Sequence, residues 1–164
     1  MPRNTFSTVA MLAVGLAFAA GAQPADAAEI QVNASGACKS ALPVFDGNMR
    51  SRPLSVRNEG EANAFVSCSV PYEHDGDLYL AALLINNTGS TQAIVNCTFV
   101  NGRNLFDPQY TPGSLTLPAG AGNWMVFFLE DAPPPGGDLA NFSCNLPPGT
   151  EIGMVSIVEE DPPL

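Results

Sequence analysis

The chain has 164 residues, a formal net charge of −10 and a pI near 4.2. That acidity excludes a nucleic-acid partner or an anionic membrane surface, because both need a basic patch. Arg50, Arg52 and Arg57 are too few to make one and read as a solvated loop and strand face. Fifteen prolines and fifteen glycines break any long helical period, so the chain is expected to be built from short strands and turns.

The N-terminus reads as a secretory signal peptide. Arg3 precedes an apolar stretch from Val9 to Ala22, and Ala25-Asp26-Ala27 is a small-x-small cleavage site. The apolar stretch is shorter than the about 20 residues of a membrane span, so no transmembrane segment is expected after cleavage. No cysteine follows it until Cys38, which argues against a lipid anchor. Removing residues 1–27 from the 164 leaves 137, the size of one domain, 28–164, with a core of its own. The destination is the periplasm or the outside of the cell.

Export determines how the cysteines are read. Cys38, Cys68, Cys97 and Cys144 all fall in the mature part, and an even count in an oxidising compartment implies two disulfides. No C-x-x-C pair occurs, so a zinc ribbon or a thioredoxin-like site is excluded. Of the three possible connectivities, sequential pairing, Cys38–Cys68 and Cys97–Cys144, is the expected one.

Further along the chain, only Glu29 to Asn33 is available before Cys38 as an N-terminal extension, short for the donor strand of a fibre subunit. From Asn63 to Val70 the chain comes to alternate, with Val66, Cys68 and Val70 on one face and Ser67 and Ser69 on the other. Leu78 to Ile85 is a near-continuous apolar run closed by the turn signal Asn86-Asn87-Thr88-Gly89. Ala93, Val95, Cys97 and Phe99 share a face opposite Asn96 and Thr98. Asn123 to Leu129 is apolar at every position after the first, which predicts a central strand covered on both faces. Pro133 to Gly137 forces a loop, after which Phe142, Cys144 and Leu146 alternate with Asn141, Ser143 and Asn145. A last strand runs from about Glu151 to Glu159, and the acidic, proline-containing tail after it is expected to blunt an exposed edge. Seven or eight strands, no helix and inward cysteines predict an all-β fold, an antiparallel β-sandwich (Ig-like) with two disulfides.

The run Phe142-Ser143-Cys144-Asn145-Leu146-Pro147-Pro148-Gly149, followed by Ile152 and Ser156-Ile157-Val158-Glu159-Glu160, resembles small exported bacterial four-cysteine β-domain proteins. Cys68-Ser69-Val70-Pro71 and the strand centred on Cys97 are similar to the same group. The resemblance spans roughly Ala34 to Asp161 and implies export, four cysteines and an all-β fold. That group has no assigned activity, so no catalytic residue carries over.

The inventory of reactive groups argues against an enzyme. His74 is the sole histidine, so every histidine-based triad or multi-histidine metal site would depend on it alone. No nucleophile elbow, phosphate-cradling glycine loop or dinucleotide fingerprint occurs. His74 lies in Tyr72-Glu73-His74-Asp75-Gly76-Asp77, a polar loop whose Glu73, Asp75 and Asp77 offer hard oxygen ligands for calcium. Asp46 or Asp107 are candidates to join them. The plainer account of the same loop is a tight Asp-Gly turn. Trp124, Tyr72 and Tyr110 are candidate platforms for stacking a sugar ring, although a sole tryptophan opening an apolar strand ordinarily fills a core. Asn86, Asn96 and Asn141 begin glycosylation sequons, which a bacterial chain would leave unused. The primary expectation is an exported non-catalytic β-sandwich with a structural or binding role at the cell envelope, meeting a protein or glycan partner. The alternatives are a carbohydrate- or calcium-dependent recognition module and a subunit of a surface fibre or adhesin.

Overall fold

The computed structural model describes residues 28–70, 77–102, 108–129 and 139–160. Its strands are β1 (Ala28–Asn33), β2 (Cys38–Ser40), β3 (Met49–Ser51), β4 (Val56–Asn58), β5 (Ala64–Val70), β6 (Asp77–Asn87), β7 (Ala93–Gly102), β8 (Gln109–Leu117), β9 (Gly122–Phe128), β10 (Leu139–Leu146) and β11 (Thr150–Glu160). They form two antiparallel sheets. One has six strands in the order β3-β4-β11-β6-β9, with β1 also on β11; the other has five in the order β2-β5-β10-β7-β8. The fold is an antiparallel β-sandwich, as the alternating residues predict.

Side chains alternate across a strand, so each buried row marks a sheet's inner face. In β5, Ala64, Val66, Cys68 and Val70 are buried while Phe65 and Ser69 are exposed. In β10, Ala140, Phe142, Cys144 and Leu146 point inward, between outward Asn141, Ser143 and Asn145. The six-stranded sheet answers with Leu83 and Ile85 of β6, Met125 and Phe127 of β9, and Ile152, Val155 and Ile157 of β11. Phe127 bridges the two layers. Its ring lies 6.0 Å from that of Phe99 and 5.7 Å from that of Phe142, which are themselves 4.9 Å apart. Gly113 on β8 makes room for this cluster, since a Cβ there would lie 2.7 Å from Phe127 Cε1.

The disulfides are Cys38–Cys68 and Cys97–Cys144, with Cα separations of 3.9 and 4.0 Å. Each joins directly paired residues of neighbouring strands, β2 with β5 and β7 with β10. Both therefore reinforce the five-stranded sheet from within, whereas the immunoglobulin bridge ties one sheet to the other.

Four sequence expectations need correction. A helical turn does occur: α1 (Ala34–Ala37) is four small residues that carry the chain from β1 in one sheet to β2 in the other, with Ala34 buried. More strands form than the period reveals, because β2, β3 and β4 have three residues each and β8 contains Pro112-Gly113. Proline is tolerated there because β8 is an edge strand, paired only with β7. The last strand is not an exposed edge. β11 has β6 on one side and β1 and β4 on the other, and Glu159 is fully buried. Lastly, β9 is an edge strand paired only with β6, and its outer face is open. No helix among the described residues is long and apolar enough to cross a membrane.

At one end of the sandwich, two buried asparagines tie the sheets together with the same local device. Asn58 Oδ1 accepts from the Gly60 amide, and its Nδ2 donates to the carbonyls of Ala62 and Leu146 at 2.9 and 2.8 Å. Asn87 Oδ1 accepts from the Gly89 amide, and its Nδ2 faces the carbonyls of Thr91, Leu117 and Pro118. In both N-x-G segments the side chain closes its own turn and reaches the last carbonyl of a strand in the opposite sheet.

Candidate functional site on the outer face of the six-stranded sheet

Among the described residues, both sheet faces carry exposed polar and aromatic side chains, and the two faces differ. On the six-stranded sheet the outward residues of β9, β6 and β11 fall in register. Trp124 pairs with Leu84 and Leu84 with Met154; Val126 pairs with Ala82 and Ala82 with Ser156; Phe128 pairs with Leu80 and Leu80 with Val158. Trp124, Val126 and Phe128 are 39%, 40% and 62% exposed. The apolar run of β9 is thus half core and half surface. Its inward half, Met125 and Phe127, supplies the core that the composition promised.

Beyond Trp124 the next row is polar and crosses four strands. Gly122 pairs with Asn86, Asn86 with Glu151, and Glu151 with Arg57. Arg57 Nε and Ser55 Oγ each donate to Glu151 Oε2 at 3.1 Å, and Asn86 Nδ2 reaches Oε1 at 3.4 Å. The Arg57–Glu151 pair is partly shielded, with side chains 29% and 16% exposed. Such a charge-assisted pair holds both groups in a set geometry and leaves the row close to neutral. The side chain of Asn86 leans over Gly122, where a Cβ would collide with its Oδ1. The missing side chain therefore leaves room for the amide over β9, one row from Trp124. A bulge at Gly153 in β11 lets Glu151 and Met154 both face outward.

The far border of the face is β1. Gln31 Nε2 and Ser156 Oγ donate to Glu29 Oε1 at 2.6 and 2.8 Å. These two hydrogen bonds, first Gln31 and then Ser156, hold the Glu29 carboxyl below its ordinary range.

The structure separates the residues singled out by sequence. Tyr110 on β8 pairs with Val100 of β7 and stands on the outer face of the five-stranded sheet, 66% exposed. It is therefore on the opposite side of the sandwich from Trp124. Tyr72, Glu73, His74, Asp75 and Asp107 lie outside the described residues. Asp77 opens β6 opposite Glu160, and Asp46 lies in a turn where it is the acceptor of Ser40 Oγ. Among the described residues no three carboxylate, histidine or cysteine side chains gather as a metal centre. Sequence reasoning missed the row of Ser55, Arg57, Asn86 and Glu151. Glu151 lies 65 to 96 residues from the other three, and only the strand order brings them together.

The class defined by this architecture is the two-sheet antiparallel sandwich to which solved carbohydrate-binding modules also belong. No protein family matches the chain, and no curated protein matches it in sequence. Among solved structures, the chain is similar to the CBM22-1–GH10 modules of Clostridium thermocellum endo-1,4-β-D-xylanase 10B, complexed with xylohexaose. The TM-score is 0.52 at 13% identity, over 77% of this chain and 26% of that one, so the chain spans about a quarter of that enzyme fragment. It is also similar to the CBM22-2 xylan-binding domain of Paenibacillus barcinonensis Xyn10C, with a TM-score of 0.50 at 13% identity over 79% of this chain and 98% of that one. At that identity the likeness establishes the fold alone.

Proposed function

We propose that this is an exported, non-catalytic carbohydrate-recognition module that holds a glycan against the outer face of the six-stranded sheet. Trp124 is the stacking platform, and Asn86, Glu151 and Arg57 supply the polar contacts. The observation that carries the reading is the half-open Trp124 ring beside a hydrogen-bonded row of amide, carboxylate and guanidinium. Sugars present an apolar ring face and a rim of hydroxyls, and this juxtaposition meets both. The row is assembled before any ligand arrives, which lowers the ordering cost of binding. The fold likeness to the modules of a xylanase and to a xylan-binding domain supports the class.

Export is part of the proposal. The expected signal peptide ends at about Ala27, β1 starts at Ala28, and cleavage there leaves every described strand intact. Two disulfides suit an oxidising compartment. A protein-docking role is the second reading, favoured by the aliphatic rows below Trp124, where Leu80, Leu84, Met154 and Val158 continue the surface. A donor-strand fibre subunit is disfavoured because β1 already pairs with β11 of its own chain along its whole length.

The test is binding of the purified, disulfide-bonded chain to soluble and insoluble polysaccharides, comparing Trp124→Ala and Asn86→Ala with the parent. A stacking tryptophan at the centre of a site is worth at least about 2 kcal/mol, roughly a 30-fold loss in affinity. Unchanged glycan affinity in a folded Trp124→Ala protein would defeat the assignment of this face.

A further inference from the structure

The five-stranded sheet has its own outer face, and its chemistry differs from that of the first. Register places Ser67, Ser143, Thr98 and Pro112 in one row, and Phe65, Asn145, Asn96 and Ser114 in the next. Among the outward strand residues of this face the one charged side chain is Lys39, at the β2 edge opposite Ser67. That the described strand residues of this face include no carboxylate is notable in a chain of net charge −10.

A shallow pocket of about 340 Å³ opens between β7 and β8, lined by Asn96, Thr98, Pro112, Ser114 and the backbone at Cys97 and Gly113. That volume is within the range of small-ligand sites. Tyr110 stands one outward position along β8 from Pro112, roughly 7 Å away by strand geometry. On the neighbouring strand, Asn145 Oδ1 is shielded and accepts no hydrogen bond among the described residues. An open aromatic ring, two amides and two hydroxyls with no charge among them fit a ligand that offers hydroxyls and an apolar ring face. They offer no counter-charge to an anion.

We infer that this pocket is a second carbohydrate site, specific for neutral saccharides, with Tyr110 as platform and Asn96, Thr98 and Ser114 as hydrogen-bonding partners. The inference rests on the glycan-binding reading above but uses none of its residues. Sheets pack about 10 Å apart, which puts the two outer faces on the order of 20 Å from one another. One short saccharide cannot touch both platforms, so the protein is bivalent. It cross-links two glycan chains, or gains avidity on one long chain that wraps it.

The experiment is a titration of the full, disulfide-bonded, 15N-labelled chain with xylohexaose, cello- and manno-oligosaccharides, and an oligogalacturonate as the anionic control, read by amide chemical shifts. The expected result is two separable sets of shifts with at least one neutral oligosaccharide. One surrounds Asn96, Thr98 and Ser114, the other Leu84, Asn86 and the Trp124 indole, with two ligands per chain. Tyr110→Ala weakens the first set by about tenfold or more and leaves the second alone. The same spectra report whether each variant is folded. Shifts confined to the Trp124 set overturn this inference and spare the proposed function. Shifts confined to the β7–β8 set overturn the Trp124 site and with it the bivalency, and leave this pocket as the one neutral-saccharide site. Silence from both sets removes both, and an equal response to oligogalacturonate overturns the neutral specificity.

Discussion

Replacing Asn87 by alanine tests whether buried amides, as well as the apolar core, hold the two sheets together. The side chain is 2% exposed. It donates to the carbonyls of Thr91, Leu117 and Pro118 at 2.8, 3.2 and 3.1 Å and accepts from the Gly89 amide at 3.0 Å. Nδ2 carries two hydrogens, so its three contacts amount to two bonds, one of them shared. About three hydrogen bonds are lost in the variant, at a net cost of about 1 kcal/mol each. The carbonyl of buried Leu117 is then left without that partner, which raises the total to about 3–4 kcal/mol. That is a large fraction of the roughly 5–15 kcal/mol that stabilises a domain. With a urea slope of about 2 kcal/mol per molar, the midpoint falls by about 1.5–2 M. Unfolding is followed by circular dichroism together with the fluorescence of the sole tryptophan. Asn87→Asp keeps the bond from Gly89 but turns an acceptor toward three carbonyls, and loses at least as much. Asn86→Ala, whose side chain is half-buried and makes one 3.4 Å contact, costs under about 1 kcal/mol and serves as the internal control. A loss below about 1 kcal/mol in Asn87→Ala, or an Asn87→Asp protein as stable as the parent, refutes the argument.

Three further outcomes are expected. Removing the Cys97–Cys144 bridge by a double alanine substitution opens a 47-residue loop and costs about 4 kcal/mol in the chain-entropy picture. Removing Cys38–Cys68 opens a 30-residue loop and costs nearly as much, about 3.6 kcal/mol, and urea midpoints of the two variants measure both. The Cys97–Cys144 variant is expected to fall further, since it also leaves a gap beside Phe99 and Phe142. Glu29 governs part of the acid limb. Its carboxyl is held below the ordinary value of 4.5, so its contribution is present above that value and is lost as pH falls through the lower, folded one. Glu29→Gln therefore narrows the gap between neutral and acidic stability, and equal acid limbs in the two proteins count against the hydrogen bonds from Gln31 and Ser156.

What the sequence discloses follows the length and regularity of each strand. β5, β7 and β10 carry unbroken alternation, and their cysteines sit on the buried parity, so their faces are legible, whereas parity alone does not choose among the three disulfide connectivities. β2, β3 and β4 are three residues long and hold no period to read. β8 hides behind Pro112 and Gly113, residues that mark turns in most settings but here suit an edge strand pressed against Phe127. The burial of Glu159 was illegible for another reason. An acid near a chain end reads as solvated, and only the pairing of β1 and β6 on either side of β11 encloses it.

The misreading of β9 and the location of the proposed site have one cause. A run such as Asn123 to Leu129, apolar at every position after the first, predicts cover on both faces, because burial is the ordinary way to remove apolar surface from water. The structure covers only Met125, Phe127 and Leu129, leaving Trp124, Val126 and Phe128 open on an edge strand. A sequence that keeps a tryptophan and a phenylalanine at uncovered positions retains a solvation cost that its fold does not require. Local rules and observed structure part company most often where a partner completes the surface. The polar row of Arg57, Glu151 and Asn86 adjoins this open strip at Trp124, so the open residues and the preassembled hydrogen-bonding groups form one continuous surface. The same residues that defeat the sequence prediction are the ones a ligand would cover.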